Sequence, residues 1–447
     1  MKRTGIMVVV VLATMLTMMA CSLTPLSTRI ANDVSSAINA SLSTPTAVVS
    51  GQTGQPQAAV QATPTSVPAG QQAQATPTQS AIVPVAQPPA STSGDVAAYQ
   101  AAMESVYQKV NPSVVSIQVI EAATSSSGNS LNPFGNSSGS GVALGSGFVW
   151  DTQGHIITNN HVVSGASSIT VTFSDGTTVD ASVVGTDPNA DLAVLKVSAP
   201  AKLLVPVSVA DSTQVKVGEL VIAIGNPYGL ANTMTHGIIS ALARTLPVGL
   251  DNQNQTTQTT PAYNIPDIIQ TDAPINPGNS GGVLVDMNGD LVGVTAAIES
   301  SSNSNSGIGF VIPSEIVNKV VVPIIKTGKF DHPYLGITVS SVTSEVIQAM
   351  GLSADAKGAL IISVTPGGPA AKANLQGGTN QISVNGGTMT VGGDIITAVG
   401  DHAITSNDDL ISYIFLHTNA GDTVTLTILR QGKEIKVPVT IGVFPTQ

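Results

Sequence analysis

The sequence predicts a mainly β protein in which two β-barrels are followed by a small α+β module. Short β-rich runs separated by glycine-rich turns extend from residue 114 to residue 312, a pattern typical of barrels. Residues 333–442 combine strands with one clear helix, which indicates the smaller module. A chain of 447 residues is too long for one compact core, so several domains are expected.

The N-terminal segment has the pattern of an export signal. Two basic residues precede an apolar run that ends at Ala20, and Cys21 follows directly. The segment resembles the lipobox of bacterial lipoproteins, which implies a signal peptide over 1–20 and lipidation at Cys21. Met18 and Met19 depart from the usual lipobox residues, which leaves an uncleaved anchor or a chance cysteine as alternatives. A lipid or an anchor predicts an exported, extracytoplasmic protein that is tethered to the cell membrane.

Residues 21–94 are predicted to form a disordered stalk. Ser, Thr, Gln, Ala and Pro dominate this segment, and positions 34–94 contain no charged residue. Such a composition has too little apolar bulk to offset the entropy lost on ordering. The segment is therefore interpreted as a spacer.

The overall composition argues against several kinds of partner and cofactor. The formal net charge of −11 disfavours nucleic acid or an anionic membrane surface as the main partner. A single cysteine rules out a disulfide framework and a cysteine-based metal site. No metal or other cofactor is expected. The histidines without ligand-like pairing are interpreted as ordinary surface or packing residues: His155, His236, His332, His402 and His417.

The region 95–328 is predicted to hold the two barrels. Residues 95–110 have helical character and stop before Pro112, since proline disfavours helix at the residue before it. A second helix is predicted over 314–326 from apolar residues at helical spacing. The predicted strands span 114–120, 147–150, 169–173, 192–197, 220–224, 291–297 and 308–312.

Three short motifs stand in the chain order His, Asp, Ser: TNNHVV around His161, DLAVL from Asp191 and GNSGG around Ser280. A serine hydroxyl is a poor nucleophile at neutral pH and needs a base within hydrogen-bond reach. That base needs an acid, which fixes its tautomer and stabilises the imidazolium. The same chain order occurs in chymotrypsin-like double β-barrels. The three residues are therefore predicted to be catalytic.

The glycines around the predicted nucleophile also indicate an oxyanion hole. Glycine lets backbone N–H groups point inward, and the candidates are those of Gly278, Asn279 and Ser280. One such donor typically contributes about 3 kcal/mol to transition-state stabilisation.

Further short sequences flank these motifs, at 158–163, 187–188, 191–195, 224–229, 269–273 and 307–313. Together they make residues 106–326 resemble the HtrA/DegP-type serine proteases. The resemblance implies a chymotrypsin-like double barrel that cleaves unfolded or damaged exported proteins without ATP. It also implies a homotrimer and a chaperone-like holding role.

The predicted specificity pocket lacks the acid of a trypsin-like enzyme. Pro274 stands six residues before the nucleophile, where that acid would be, so basic P1 residues are not favoured. Asp272 is interpreted as structural. By resemblance, Ile275 borders the pocket and favours small aliphatic P1 residues.

The C-terminal region 333–442 resembles a PDZ domain. Strands are predicted over 358–364, 394–399 and 424–429, and a helix over 407–416. The sequence Tyr334, Leu335, Gly336, Ile337 matches the loop in which backbone N–H groups bind a peptide C-terminus beside an added β-strand. A glycine-rich insert at 377–392 departs from the family pattern and puts the local loop geometry in doubt.

Two other classes of function stay open from the sequence. A non-catalytic chaperone or adaptor of the same fold need not keep His161, Asp191 and Ser280 together. A surface adhesin or scaffold is suggested only by the stalk. Cleavage of casein that depends on Ser280 distinguishes the enzyme from both.

Overall fold

The computed structural model describes residues 92–121, 141–226, 232–248, 263–276, 278–296, 307–384 and 387–445. The chain divides into two units, Met1–Pro84 and Val85–Gln447, and all described residues belong to the second. The predicted signal peptide, Cys21 and residues 21–91 of the predicted stalk lie outside the described residues. Among the helices that are described, none has the length and apolar character needed to cross a membrane.

The first barrel closes in the order β1-β2-β3-β6-β5-β4 with antiparallel neighbours. Apolar residues of its strands, among them Ile117, Ile156 and Leu195, fill the interior. Strand β2 begins five residues earlier than predicted, because Gly145 and Gly147 hide its β-character in the sequence. The strands are β1 (Val114–Glu121), β2 (Val142–Val149), β3 (His155–Thr158), β4 (Ala166–Thr172), β5 (Thr178–Asp187) and β6 (Leu192–Val197).

The second barrel closes in the order β10-β11-β12-β9-β8-β7. One apolar cluster joins it to the first barrel, since Phe148 and Ile157 pack with Ile222. The prediction of a mainly β fold with two chymotrypsin-like barrels is therefore confirmed. The strands are β7 (Leu220–Gly225), β8 (Thr233–Val248), β9 (Tyr263–Thr271), β10 (Val283–Val285), β11 (Leu291–Ala296) and β12 (Gly309–Pro313).

Within the described residues, three α-helices pack on the barrels: α1 (Thr92–Val110), α2 (Asn160–Val163) and α3 (Ser314–Thr327). Helix α1 begins three residues before the predicted one, so the last three residues of the predicted stalk are helical. It packs through Met103, Val106 and Val110 on the shared core. Helix α3 ends at Thr327 and is capped by Gly328, whose left-handed φ of 81° turns the chain sharply toward the next domain.

The second domain is an α+β module, as predicted. Its main sheet has the order β14-β15-β18-β20-β21, with β19 beside β18, and β13 pairs with β22. The insert contains a separate β16–β17 hairpin. The elements are β13 (Pro333–Tyr334), β14 (Ile337–Ser341), α4 (Ser344–Met350), β15 (Ala359–Val364), α5 (Pro369–Lys372), β16 (Asn380–Val384), β17 (Gly387–Val391), β18 (Ile395–Val399), β19 (His402–Ala403), α6 (Asn407–His417), β20 (Thr423–Arg430), β21 (Lys433–Thr440) and β22 (Gly442–Val443).

Helix α6 docks the second domain on the barrels. Phe415 enters the apolar cluster shared by the barrels. Lys319 of helix α3 donates to the carbonyls of Leu416 and Thr418 at 3.0 and 3.1 Å, which satisfies the C-terminal end of α6. Ser412 donates a hydrogen bond to Asp267 of strand β9, and partial burial raises the pKa of that carboxyl group.

Candidate active site

His161 lies in the short helix α2, directly after strand β3, and contacts Asp191 twice. Its Nδ1 is 2.8 Å from Asp191 Oδ2, and its backbone N–H donates to Asp191 Oδ1 at 3.0 Å. A carboxylate has no proton to donate, so the proton of this contact belongs to Nδ1. In the neutral ring, Nε2 then carries the lone pair that a general base needs.

Asp191 ends a tight turn between strands β5 and β6 and has a left-handed φ of 50°. This conformation is unfavourable for a residue other than glycine, although aspartate tolerates it better than most. The turn is held by side chains. Asn159, which is fully buried, donates from Nδ2 to the Asp191 carbonyl at 2.9 Å.

Ser280 lies in a turn that comes before strand β10 of the second barrel. Its side chain is buried, and Oγ has no hydrogen-bond partner among the described residues. Gly278 has a φ of 93°, and the Asn279 N–H donates to the Asn276 carbonyl at 2.9 Å. This φ and this hydrogen bond are those of a type II turn, which favours glycine at its third position.

The same hydrogen bond corrects one prediction about the oxyanion hole. The Asn279 N–H donates to the Asn276 carbonyl inside the turn. Contrary to the prediction, it is therefore not available as a donor to an oxyanion. In a type II turn the N–H of the third residue is not part of the i to i+3 hydrogen bond, which leaves the Gly278 N–H outside that bond. Gly278 and Ser280 therefore stay the candidate donors.

Ser146 of strand β2 joins the turn of Ser280 to the first barrel. Its Oγ donates to the Gly278 carbonyl at 2.5 Å and accepts from the Asn226 N–H at 2.7 Å. Its N–H donates to the Ser280 carbonyl at 2.9 Å, and its carbonyl accepts from Thr158 Oγ1 at 2.7 Å. Sequence reasoning missed this residue. Its signal is a serine between two glycines within a strand, since strand glycines often mark a close approach.

Gly281 brings the same turn against the segment that leads to His161. Its φ is 81°, and a Cβ at this position would overlap Ser146 O and Thr158 Oγ1. Its N–H donates to the Thr295 carbonyl at 2.9 Å, and Thr295 Oγ1 donates to the Asn279 carbonyl at 2.6 Å. The backbone of this turn is thus held by contacts from both barrels.

The residues before the turn include those that the sequence assigns to a specificity pocket. Ile275 is buried, and a Cβ at Gly309 of strand β12 would be 2.6 Å from its Cγ1. Asp272 accepts from the Ile238 N–H at 2.7 Å, which is a structural contact. Pro274 accepts through its carbonyl from Thr235 Oγ1 at 2.9 Å.

The predicted carboxylate-binding loop of the second domain lies between strands β13 and β14. Leu335 is buried in the domain core, and Gly336 has a φ of 74°. The Gly336 carbonyl accepts from the Thr365 N–H at 2.8 Å, and Tyr334 donates to Thr365 Oγ1 at 3.1 Å. Ile337 starts strand β14, which stands at the end of the sheet order.

From the sequence, His332 is interpreted as an ordinary surface or packing residue, and the structure corrects this, because His332 forms a buried contact with a carboxylate. Its Nε2 lies 2.6 Å from Asp187 Oδ2, and both side chains are buried. No group of three or more His, Cys, Asp or Glu within the described ranges has an arrangement suited to a metal ion.

Comparison with known families matches both parts of the chain. Residues 145–294 match the model of the trypsin-like peptidase domain, and residues 333–441 match that of the PDZ domain.

Relatives of known class match over most of the folded region. "Protease Do-like 1, chloroplastic" of Arabidopsis thaliana is 42% identical over 303 residues, which are 68% of this chain and 64% of that protein. A "probable periplasmic serine endoprotease DegP-like" of Brucella suis biovar 1 (strain 1330) is 38% identical, over 68% of this chain and 53% of its own length. This chain thus spans between about half and two thirds of the length of these curated relatives.

A solved structure matches the fold along nearly its whole length. The "HtrA-type protease AlgW with tripeptide" is 31% identical, with a TM-score of 0.59, and the match covers 77% of this chain and 98% of that one. The two barrels, the trypsin-like peptidase match and the PDZ match place the chain in the class of proteins that join a trypsin-like peptidase domain to a PDZ domain. The chain belongs to the HtrA-type family of these proteins.

Proposed function

We propose that this chain is a serine endopeptidase in which Ser280 is the nucleophile, His161 the general base and Asp191 the acid that orients the base. The observation that carries this proposal is the double contact between His161 and Asp191, beside a turn that presents Ser280 at the junction of the barrels. The contact fixes the imidazole tautomer, which is what an efficient base requires.

The proposed reaction proceeds through an acyl-enzyme. Ser280 Oγ attacks the carbonyl carbon of the scissile peptide bond, and its proton passes to His161 Nε2. The tetrahedral intermediate collapses, the C–N bond breaks, and His161 gives the proton to the leaving amine. Water then attacks the ester, with His161 again accepting a proton, and the acid product leaves as Ser280 regains its hydrogen.

The developing oxyanion is proposed to accept hydrogen bonds from the N–H groups of Gly278 and Ser280. The left-handed φ of Gly278 supports this assignment, as does the Ser146 hydroxyl, which holds the Gly278 carbonyl. Removal of one oxyanion-hole donor in a serine protease typically costs about 10²- to 10³-fold in kcat.

Unfolded or damaged exported polypeptides are the proposed substrates, cleaved without ATP, with small aliphatic P1 residues favoured by Ile275. The second domain is proposed to bind peptide C-termini through Tyr334, Leu335, Gly336 and Ile337 and strand β14. Support comes from the PDZ match and from the left-handed Gly336. A P1 profile dominated by arginine and lysine in a peptide-library digest would contradict the role of Ile275.

An extracytoplasmic location is proposed because relatives are named periplasmic endoproteases. We also propose that residues 1–20 are a signal peptide, 21–94 a stalk, 95–328 the protease domain and 333–442 the PDZ domain. The protein is further proposed to form a homotrimer and to be tethered to the membrane at Cys21. Palmitate labelling of wild type and Cys21→Ser tests the tether, since a lipoprotein incorporates label only when Cys21 is present.

The test of the enzyme proposal is degradation of casein by wild type and by Ser280→Ala. Wild type is expected to degrade casein, and the variant is expected to lose on the order of 10⁶-fold in kcat. Activity of wild type should also fall on acidification, because protonated His161 cannot accept the Ser280 proton. Absence of cleavage by wild type would instead favour the non-catalytic chaperone or adaptor.

A further inference from the structure

Asp187 and His332 form a buried contact between the first barrel and the segment that enters the second domain. Asp187 is the last residue of strand β5, and His332 directly precedes strand β13. His332 Nε2 lies 2.6 Å from Asp187 Oδ2, and each side chain is only 4% exposed. A carboxylate buried this deeply is costly unless it is paired, so removal of one partner leaves the other unsatisfied.

The other oxygen of the same carboxylate organises the turn that presents Asp191. Asp187 Oδ1 accepts from the N–H groups of Asn189 and Ala190 at 3.0 and 3.1 Å. The carboxylate therefore bridges two structures: the turn through one oxygen and His332 through the other. Rotation of the Asp187 side chain would disturb both at once.

The turn needs such support because its last residue is strained. Asp191 has a φ of 50°, and a left-handed conformation is unfavourable for a residue other than glycine. Such conformations persist only where the surroundings impose them. Asn159 holds the Asp191 carbonyl from one side, and the Asp187 carboxylate holds the preceding N–H groups from the other.

His332 is itself fixed by the second domain and its linker. The ring packs edge-on against Phe330 at 4.7 Å and lies 5.7 Å from the ring of Phe415 in helix α6. Its carbonyl accepts from the Phe444 N–H at 2.9 Å. Since a carboxylate cannot donate, His332 Nε2 carries the proton of the contact with Asp187.

We propose that Asp187 and His332 are positioning residues, which set the Asp191 turn and make its geometry depend on the ordered segment at the start of the second domain. The proposal rests on the proposed serine endopeptidase function for its kinetic consequence. Neither side chain contacts the reacting atoms. Their effect reaches the reaction through Asp191, which orients the His161 ring.

The kinetic test compares His332→Ala with His332→Gln on a short peptide substrate. His332→Ala is expected to lower kcat by about 10- to 100-fold with KM nearly unchanged, because a small displacement of Asp191 misaligns the base. His332→Gln is expected to recover most of the wild-type kcat, since the glutamine amide nitrogen can donate to Asp187 as Nε2 does. Equal losses in both variants, or unchanged kcat in His332→Ala, would overturn the proposal.

A second measurement does not depend on activity. Amide hydrogen exchange of the peptide that contains residues 187–192 is expected to speed up in His332→Ala and to return toward wild type in His332→Gln. Unchanged exchange in His332→Ala would overturn the positioning role. If wild type cleaves no substrate, the proposed function fails, while the exchange measurement still decides the inference.

Matched variants separate positioning from general destabilisation. His402→Ala breaks another His–Asp contact of the second domain, the 3.0 Å pair with Asp409, and should leave kcat and the exchange of residues 187–192 unchanged. In a double-mutant cycle, Asp187→Ala combined with His332→Ala should be no worse in kcat than Asp187→Ala alone. Additive losses would contradict a shared route to Asp191.

Discussion

The two barrels hold their halves of the site by different means. In the first barrel, side chains position His161 and Asp191: Asn159 and Asp187 hold the turn, and the Asp191 carboxylate binds the imidazole. In the second barrel, the turn around Ser280 is fixed through its backbone, by backbone hydrogen bonds, by the hydroxyls of Ser146 and Thr295, and by glycines with left-handed φ. The first half therefore depends on the side chains that contact its functional groups, and the second on hydrogen bonds to its own backbone and on glycines that leave room for close approach.

Of the variants that test this comparison, the largest effect is expected in the first barrel, at the carboxylate that contacts the imidazole. Asp191→Asn preserves shape, but its amide can donate to the imidazole Nδ1 and so stabilise the wrong tautomer. The kcat is expected to fall by about 10⁴-fold while the Tm changes little. Asp211→Asn is the matched control, since Asp211 caps a turn by accepting the Thr213 N–H at 3.0 Å away from the site. A kcat above a tenth of the wild-type value in Asp191→Asn would show that the first half does not depend on the carboxylate of Asp191.

The next largest effect is expected in the second barrel, at a glycine of the Ser280 turn. In Gly281→Ala, the new methyl group overlaps Ser146 O and Thr158 Oγ1, so the turn must shift. The kcat is expected to fall by about 100-fold, and the Tm to fall as well. Gly176→Ala is the control, because Gly176 has a similar φ of 84° with nothing within 4 Å of the added Cβ. Equal losses of activity in the two variants would show that backbone strain, not overlap, decides.

A smaller effect is expected at Ser146, which connects the first barrel to the turn around Ser280. Ser146→Ala removes the hydroxyl from the Gly278 carbonyl and the Asn226 N–H, and leaves two buried groups unsatisfied. We expect a stability loss of about 1–3 kcal/mol in denaturant unfolding and a fall in kcat on the order of tenfold.

Ser212→Ala is the control for the loss of the Ser146 hydroxyl. Ser212 Oγ accepts from the Glu315 N–H at 3.1 Å, remote from the nucleophile turn. The Tm of this variant should fall while its kcat is kept. A normal kcat in Ser146→Ala as well would mean that the two halves do not depend on this contact.

The smallest effect concerns a second strained aspartate, which is a counterpart of Asp191 in the second barrel. Asp267 has a φ of 53°, accepts from Ser412 of helix α6, and has a pKa raised above its usual value, mainly by burial. A raised pKa means that the ionised form is disfavoured in the folded state, so its cost is present at neutral pH and disappears as pH falls.

Asp267→Asn should therefore raise the Tm slightly at pH 7, and asparagine suits the left-handed backbone. The gain should be smaller at pH 4, because wild-type Asp267 takes up its proton on acidification more readily than an ordinary aspartate. Thermal unfolding at both pH values measures this. A gain that is equal at the two values would show that the charge of Asp267 is not responsible.

The sequence was informative where local pattern decides structure. Strand β6 was predicted with the bounds that it has, and the motifs around His161 and Asp191 predicted residues that are in contact. Alternation and glycine placement are local properties, so a single sequence carries them.

Long-range hydrogen bonds could not be predicted in this way. Ser146 and Gly278 are 132 residues apart, and Asp187 and His332 are 145 apart, so nothing local marks these pairs. The use of the Asn279 N–H depends on the turn type, which sequence reasoning did not specify. The insert at 377–392 was recognised as a departure, but its β-hairpin was not predicted.

The most direct test of the central claim is covalent labelling with a fluorophosphonate, followed by peptide mapping. Ser280 Oγ attacks phosphorus and fluoride leaves, so wild type should carry one adduct, on the peptide that contains Ser280. Labelling should be absent in Ser280→Ala and strongly slowed in His161→Ala, because the base is missing. An adduct on another residue, or equal labelling rates in wild type and His161→Ala, would contradict the assignment of Ser280 and His161.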